Sequence, residues 1–525
     1  MSASLSELDP AILAELDRQF TSLDEPVYFA TAGADPLMVA TAMARLSRSP
    51  NDLRLIMGKE FLQDDGKDPS VVRQNIFFKY GDDSVAQLYT MQGVVEGASN
   101  LLTKILEWGR LGSYLEQSTR YLVFDRRDEN GKFPFYTPVE LGDEDTRFFE
   151  TQTEEIFVRY SQAVRAMQDY LGEILEKSPE LKPGEWISTL RAQACDAARV
   201  LLPVSVKATV GIVGSAQSFE NLLLRLRASD LREARLVGNL MLQHARVIAP
   251  DYMRRVDLPD RGNMASAYLL DQRQRMSEWA TELGINGEPV TRDNVKLYDF
   301  TPKDELEVVK YVLFDASDIS LDGIEKILSQ RSDAEIRSIL KDYIGDRHNR
   351  RHKPGRAFEH PHYTWEYVTD YGIFRDLQRH RMVDDLRWQK LTPYHGHVEI
   401  PELAIQSGVA HLFNEAFDIS SGLYEHLKQR YGTTVAQYGT LLGHNMRWMM
   451  TINAREAYHI HELRTSSQGH PGYRKVVNEM HRQLGQVHPT IAEGMVHVDH
   501  GENPDLARLQ EALRNARKAR ESGLQ

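Results

Sequence analysis

Four segments of this 525-residue chain carry side chains whose types and spacing could do chemistry. The first, Gly112-Ser113-Tyr114-Leu115-Glu116-Gln117-Ser118-Thr119-Arg120-Tyr121, alternates hydroxyls, a carboxylate and a guanidinium beside two aromatics. In an extended backbone Glu116, Ser118 and Arg120 would share one side, a grip for a phosphorylated ligand in which Arg120 supplies a planar fork of donors. The second is Arg379-His380-Arg381, with Arg375 one turn earlier, read as the end of a helical run from Tyr367. Clustered cations of this kind form either a solvated surface or an anion site. In the third, Asn453-Ala454-Arg455, His459 and Leu463-Arg464, the four-residue intervals put Arg455, His459 and Leu463 on one helix face. The fourth is Arg199 in Ala198-Arg199-Val200-Leu201-Leu202-Pro203, on an apolar helix before a proline stop. A buried arginine there needs a carboxylate or phosphate partner. Taken singly, these segments read first as a polar strand edge, a wet helix face and a structural salt bridge.

The elements that must position these groups can be read along the chain. With 41% hydrophobic and 26% charged residues, the composition is that of a globular protein with two to four domains. The net charge of −13 argues against broad binding to nucleic acid. Cys195 is the one cysteine, so no internal disulfide or cysteine-built metal cluster is expected, and a reducing cytoplasm is the expected compartment. Residues 1 to 20 lack the features of a secretory signal, and Asp9-Pro10 predicts a helix cap and first turn. No stretch is long and apolar enough to span a membrane.

Of the 18 histidines only His244 precedes residue 340, so the two halves differ in chemistry. Their order is nonetheless repeated. Val27 to Ser49 is echoed by Val295 to Ser317, each reading as strand, turn and helix, with the turn cluster Asn286-Gly287-Glu288-Pro289 as the linker between halves. Helical spacing marks the closing regions at about 190–250 and 402–485.

In order and spacing the four segments resemble the flavin-dependent thymidylate synthases, twice over. That family's Arg-His-Arg triplet is intact at Arg379-His380-Arg381, preceded by Phe358-Glu359-His360, while the first half reads Trp108-Gly109-Arg110 at the triplet's place. The Ser/Glu/Ser/Arg run stands in the first half at Ser113 to Arg120, and Met382 to Gln389 has lost it. Ala198 to Pro203 matches the family's Ala-Arg-x-x-Leu-Pro, whereas its counterpart Ala436-Gln437-Tyr438-Gly439-Thr440-Leu441 has lost the arginine and proline. Asn453 to Arg464 matches the Asn-x-Arg helix, and its counterpart Ser215-Ala216-Gln217 does not. Each half is broken where the other is whole.

The resemblance implies an α+β fold of two similar domains, each with helices packed around a mainly antiparallel sheet. It implies an N-terminal helix in residues 1–25, a first repeat at 26–288 keeping nucleotide-binding residues, and a second at 289–525 keeping flavin-binding residues. One composite site would use Glu116, Ser118, Arg120 and Arg199 for dUMP. For FAD it would use Glu359, Arg379, His380, Arg381, Asn453, Arg455 and His459. Arg464 would bind the uracil and favour its ionisation, making C5 nucleophilic without a thiol. The implied reaction is reductive methylation of dUMP to dTMP with methylenetetrahydrofolate and NADPH. A homodimer forming a pseudo-tetramer is implied as well. The other site, drawing on Trp108, Ser215 and Gln217 with Arg387, Gln389 and Gln437, would be inactive, and Cys195 would be a buried structural thiol.

The same residues leave two other readings open. One is a flavin- or nucleotide-binding relative with lost or altered substrate. The other is a metal-dependent hydrolase using His360-x-His362, His395-x-His397 and His459-x-His461 as ligand pairs.

Overall fold

The computed structural model describes residues 5–46, 49–63, 68, 71, 83–120, 122–285, 294–467, 469–501 and 506–521. The linker expected at Asn286 to Pro289 lies outside the described residues, as does Tyr121. The chain forms two compact units that are not consecutive in sequence. One comprises Met1–Glu96, Ile105–Glu116 and Thr209–Asn286, and the other Gly97–Lys104, Gln117–Ala208 and Gly287–Gln525. The fold is α+β.

In the first unit, helix α1 (Pro10–Gln19) starts as the sequence predicts, with the Asp9 carboxylate accepting the Ala11 N–H at 2.8 Å and proline in the first turn. Its Leu16, with Phe20 beyond its end, packs against Val39 and Ala42 of α2 (Pro36–Arg45) and against Ile56 and Met57. The strand expected at Val27 does not form. Only an isolated bridge joins Ala30 to Phe20, and Val27 and Phe29 are 73% and 71% exposed, so no neighbouring ladder or burial supports an extended strand there. A three-stranded sheet has the order β1 (Thr90–Ser99), β3 (Lys207–Ser215), β2 (Gly112–Glu116), with β2 antiparallel to β3 from Gly112↔Gly214 to Glu116↔Val210. Because β2 ends at Glu116, the extended run to Arg120 stops there.

The second unit is built on a four-stranded antiparallel sheet of order β4 (Val295–Thr301), β5 (His362–Asp370), β7 (Asn445–Asn453), β6 (Asp385–Trp388). Period-two patterning decides which face is core. Tyr363, Trp365, Tyr367 and Thr369 of β5 and Met446, Trp448, Met450 and Ile452 of β7 are buried, and the residues alternating with them from His362 to Val368 and from Asn445 to Asn453 are only partly buried. Tyr367 and Trp448 stack at 3.7 Å between ring centroids. The helical run expected from Tyr367 therefore needs correction. Tyr367 to Asp370 completes β5, because alternating aromatic and β-branched residues pair with β7, and the helix α6 spans only Tyr371–Leu377. Asp370 caps it, accepting the Ile373 N–H at 3.0 Å.

Three long helices, α3 (Asp143–Ile174), α4 (Pro183–Ala198) and α7 (Ala410–Ala436), also belong to this unit, and α3 packs against both others. Here the two halves of the chain meet about a local twofold. Pro203 forms a bridge to Leu441, its own counterpart in the sequence repeat. On either side the Val204 N–H donates to the Thr440 carbonyl at 2.9 Å and the Leu442 N–H to the Leu202 carbonyl at 2.8 Å. A residue paired with its own equivalent is the signature of an isologous contact, here inside one chain. Two further helices complete the frame of the site, α8 (Ala454–Arg464) and α9 (Pro471–Val487).

Candidate active site

The twofold carries Arg199, which follows directly on α4, to the short helix α6. The approach is tight. A Cβ at Gly372 would stand 3.1 Å from Arg199 Nη2 and 2.9 Å from Asp370 Oδ1, so the turn has room for hydrogen alone. Asp376, also on α6, accepts from Arg199 Nη1 at 3.0 Å through Oδ2 and from Arg379 Nη2 at 3.2 Å through Oδ1. Burial alone would raise the Asp376 pKa, yet Arg199, Arg379, Arg120 and Arg464 together hold it well below the usual carboxylate range. Asp370, buried without an equal set of cations, is pushed up to about 6 against the pull of Arg199. Arg199 is 2% exposed, and its Nε and Nη2 have no hydrogen-bond partner in the protein. Donors left unmatched at that depth are costly, and an anionic oxygen is the group that would satisfy them.

Arg120 lies close by in charge terms and has its own anchor. Its Nε and Nη2 donate to the two oxygens of Asp196 at 2.8 and 3.0 Å, a bidentate pair between largely buried side chains. Burial works against the Arg120 charge, but the Asp196 hydrogen bonds outweigh it and raise its pKa above the ordinary arginine value. Ser118 Oγ accepts the Arg120 N–H at 3.2 Å, closing a turn in place of the extended strand. His470, the cap of α9, is pushed down to about 3 by burial and by Arg199.

The third group sits on α8 and the segment after α6. Asn453 caps α8, its side-chain oxygen accepting the Glu456 N–H at 2.9 Å. Arg455 donates from Nε to the Pro354 carbonyl at 3.1 Å and faces Glu359 at 3.7 Å. Arg464 Nε donates to His380 Nε2 at 2.8 Å, and His380 Nδ1 lies 3.0 Å from Glu456 Oε1. Burial and the Arg464 charge hold His380 well below its ordinary pKa, so it is neutral. Since Nε2 accepts, the proton is on Nδ1 and is donated to Glu456. Burial pushes Glu456 up to about 8, against Lys353 and Arg455. His459 is lowered to about 4 by burial and by Lys353 and Arg464.

The structure thus brings Arg120 and Arg199 of the first half together with Arg379 and Arg464 of the second, all within electrostatic reach of the Asp376 carboxylate, which Arg199 and Arg379 contact directly. Arg379 is 44% exposed on its side chain and Arg381 is also exposed. Glu116 is buried at the end of β2 in the other compact unit. Both ring nitrogens of His380 are engaged inside the protein. Asp376, Asp196 and Glu456 carry the geometry and were not singled out from the sequence. A usable signal existed for the two aspartates, since each stands three residues before a noted arginine, Arg379 and Arg199.

Metal-type donors converge at one place among the described residues, His380, Glu456 and His459, whose ligand atoms lie within 4.8 Å of one another. Arg464 and Glu456 already occupy both nitrogens of His380 there, and a guanidinium 2.8 Å away opposes a second cation. Of the histidine pairs noted in the sequence, His397 stacks on Phe417, His360 on Tyr311, and His362 Nδ1 meets the His360 carbonyl at 2.6 Å. Cys195 is fully buried, and burial pushes its thiol up to about 12.

The thymidylate synthase complementing protein family matches the chain in two segments, residues 30–251 and 296–490. The chain belongs to that family. The double match fits a protein of two similar domains. A UPF0159 protein of Chlamydia muridarum is 30% identical over 515 residues, 94% of this chain and 96% of the relative. One from Thermoplasma acidophilum is 28% identical over 501 residues, covering 91% and 98%. A flavin-dependent thymidylate synthase of Clostridium tetani is 24% identical over 222 residues, 42% of this chain and 82% of that protein. This member of the thymidylate synthase complementing family has, among the described residues, no helix long and apolar enough to cross a membrane.

Proposed function

We propose that this protein is an FAD-dependent thymidylate synthase that methylates dUMP reductively to dTMP with methylenetetrahydrofolate and NADPH. The observation that carries the reading is Arg199, fully buried beside Asp376 with two donors unmatched, in a cluster fed by both halves of the chain. In this reading Arg199 and Arg120, with Ser118, bind the dUMP phosphate. Arg464, fixed through His380, stabilises the negative charge that develops on the uracil ring, the preorganised mode of electrostatic catalysis. Cys195 takes no part, because a buried thiol with a pKa of about 12 is not ionised near neutral pH.

The donor set fits a flavin dinucleotide. Arg379, Arg381 and Arg455 present guanidinium groups at accessible positions suited to a pyrophosphate, with Glu359, Asn453 and His459 beside them in the binding set. FAD, when bound, supplies the redox chemistry. His380 serves this site from within, by holding Arg464. The two repeats, 26–288 and 289–525 after an N-terminal helix in 1–25, assemble one working site per chain, and two chains form a cytoplasmic homodimer.

The test is flavin released per chain from the purified protein, followed by dUMP-dependent dTMP formation with folate and NADPH. About one FAD per chain and turnover retained in Cys195→Ala are expected. Protein that takes up no FAD and forms no dTMP would overturn the reading, and two FAD per chain would overturn the single working site.

A further inference from the structure

Arg464 is only partly buried, yet a catalytic guanidinium has to be held in one orientation to favour a transition state. The aromatic ring of Tyr473 lies 5.5 Å from its central carbon. The directional contact is the 2.8 Å hydrogen bond from Nε to His380 Nε2. That bond exists only if His380 is the tautomer with its proton on Nδ1, since a proton on Nε2 would set donor against donor. Glu456 Oε1, 3.0 Å from Nδ1, selects that tautomer. Both His380 and Glu456 are 5% exposed, so water offers little competing acceptor.

We infer that Glu456 is a positioning residue for Arg464, acting through the tautomer of His380. Asn453 fixes the start of α8 by capping the Glu456 N–H, so the helix end that carries Glu456 is set independently of His380. The charged groups that bear on Glu456 are Lys353, Arg455, Asp384 and Arg464. In either ionisation state the carboxyl keeps an oxygen that accepts the Nδ1 proton, so the relay does not require a titration. The chain Glu456, His380, Arg464 runs over one carboxyl and one imidazole, and each link is a single hydrogen bond.

This inference rests on the proposed synthase reading for its catalytic consequence, and its geometric part is tested separately. Gln and Met match Glu in shape, but only Gln keeps an acceptor oxygen. In full-length protein labelled with ¹⁵N at histidine and arginine, wild type and Glu456→Gln are expected to show His380 protonated at Nδ1 and a slowly exchanging Arg464 Nε–H. Signals are assigned by their loss in His380→Gln and Arg464→Lys. Glu456→Met is expected to mix the tautomers and to speed exchange of that Nε–H by about 10-fold or more. Should Glu456→Met fail to fold, Glu456→Asp, which withdraws the carboxylate by one carbon, supplies the same contrast.

In turnover, kcat of Glu456→Met is expected to fall about 100-fold and that of Glu456→Gln about 3-fold. In an Arg464→Ala background the two variants are expected to be equal, because a positioning residue has no effect once the group it positions is gone. An unchanged His380 tautomer and unchanged Nε–H exchange in Glu456→Met would overturn the inference. So would a kcat difference that survives in Arg464→Ala. A protein with no synthase activity would sink the functional reading and leave the tautomer and exchange results to decide the geometry.

Discussion

Arg199 and Gln437 stand at the same place in the two halves of the chain, each opening a short 3-10 turn at the end of a long helix, and each is buried. Their hydrogen bonding is opposite. Gln437 accepts the Leu391 N–H at 3.0 Å and donates to the Thr434 carbonyl at 3.2 Å, so its amide is matched within its own half. Arg199 reaches across to Asp376 and leaves two donors unmatched. A cavity of about 320 Å³ on the outer face of the four-stranded sheet is lined by Arg387, Gln389, Glu366 and Arg447. There too the cations are neutralised locally, Arg387 by Asp385 at 2.6 Å and Arg447 by Glu366 at 3.0 Å. One copy of the duplicated frame thus leaves buried donors open, while the other is closed by its own hydrogen bonds and ion pairs.

The comparison breaks most severely at Asp376. Asp376→Ala leaves Arg199 buried and unpaired, so a loss of about 3–5 kcal/mol in urea unfolding is expected, with weakened dUMP binding. Arg120→Ala removes the bidentate pair with the buried Asp196 and is expected to lower the urea midpoint as well as dUMP affinity. Arg464→Ala separates the two effects. It is expected to cost about 100- to 1,000-fold in dTMP formation, while the buried His380 Nε2 left without its donor lowers stability by only about 1–3 kcal/mol in urea unfolding.

Gln437→Ala sharpens the contrast from the closed side. It leaves the Leu391 N–H without its acceptor and should cost about 1–3 kcal/mol of stability with dUMP affinity unchanged. A matching loss of dUMP affinity would contradict the division between open and closed copies.

The smallest expected effect is that of pH. His380, His459 and His470 have folded pKa values below the ordinary 6.5, the last two at about 4 and about 3. Their contribution is full above about pH 6.5 and is lost as the pH falls toward those values. Asp370 and Glu456, raised to about 6 and about 8, act in the opposite sense, with a contribution lost as pH rises through those values. Three histidines against two carboxyls predict a lower urea midpoint at pH 5 than at pH 7. A His470→Gln variant should flatten that dependence.

The sequence disclosed these features unevenly, for physical reasons. A lone arginine on an apolar helix demanded a buried partner, and Arg199 has one. The helix of Arg455, His459 and Leu463 followed from its spacing. The end of β5 is not legible in the sequence because Tyr367 to Arg381 mixes apolar and polar residues at intervals compatible with either period, and only the ladder to β7 decides. The carboxylates escaped because their partners are distant in sequence. Asp196 stands three residues before Arg199 but pairs with Arg120, and Asp376 lies beside Arg379 yet also holds Arg199 from the other half. The local spacing marks each aspartate but not its partner, and the Asp376–Arg199 pair spans the duplication.

The contact of Pro203 with its own equivalent Leu441 also governs how the protein responds to dilution. Where separate subunits must meet to complete a site, its occupancy falls with their concentration. Here the two halves share one chain, so the encounter is intramolecular, at an effective concentration on the order of millimolar for tethered partners. The arginine cluster at Asp376 therefore forms when the chain folds, in a cell holding few copies as readily as in one holding many. Selection could then act on each half separately.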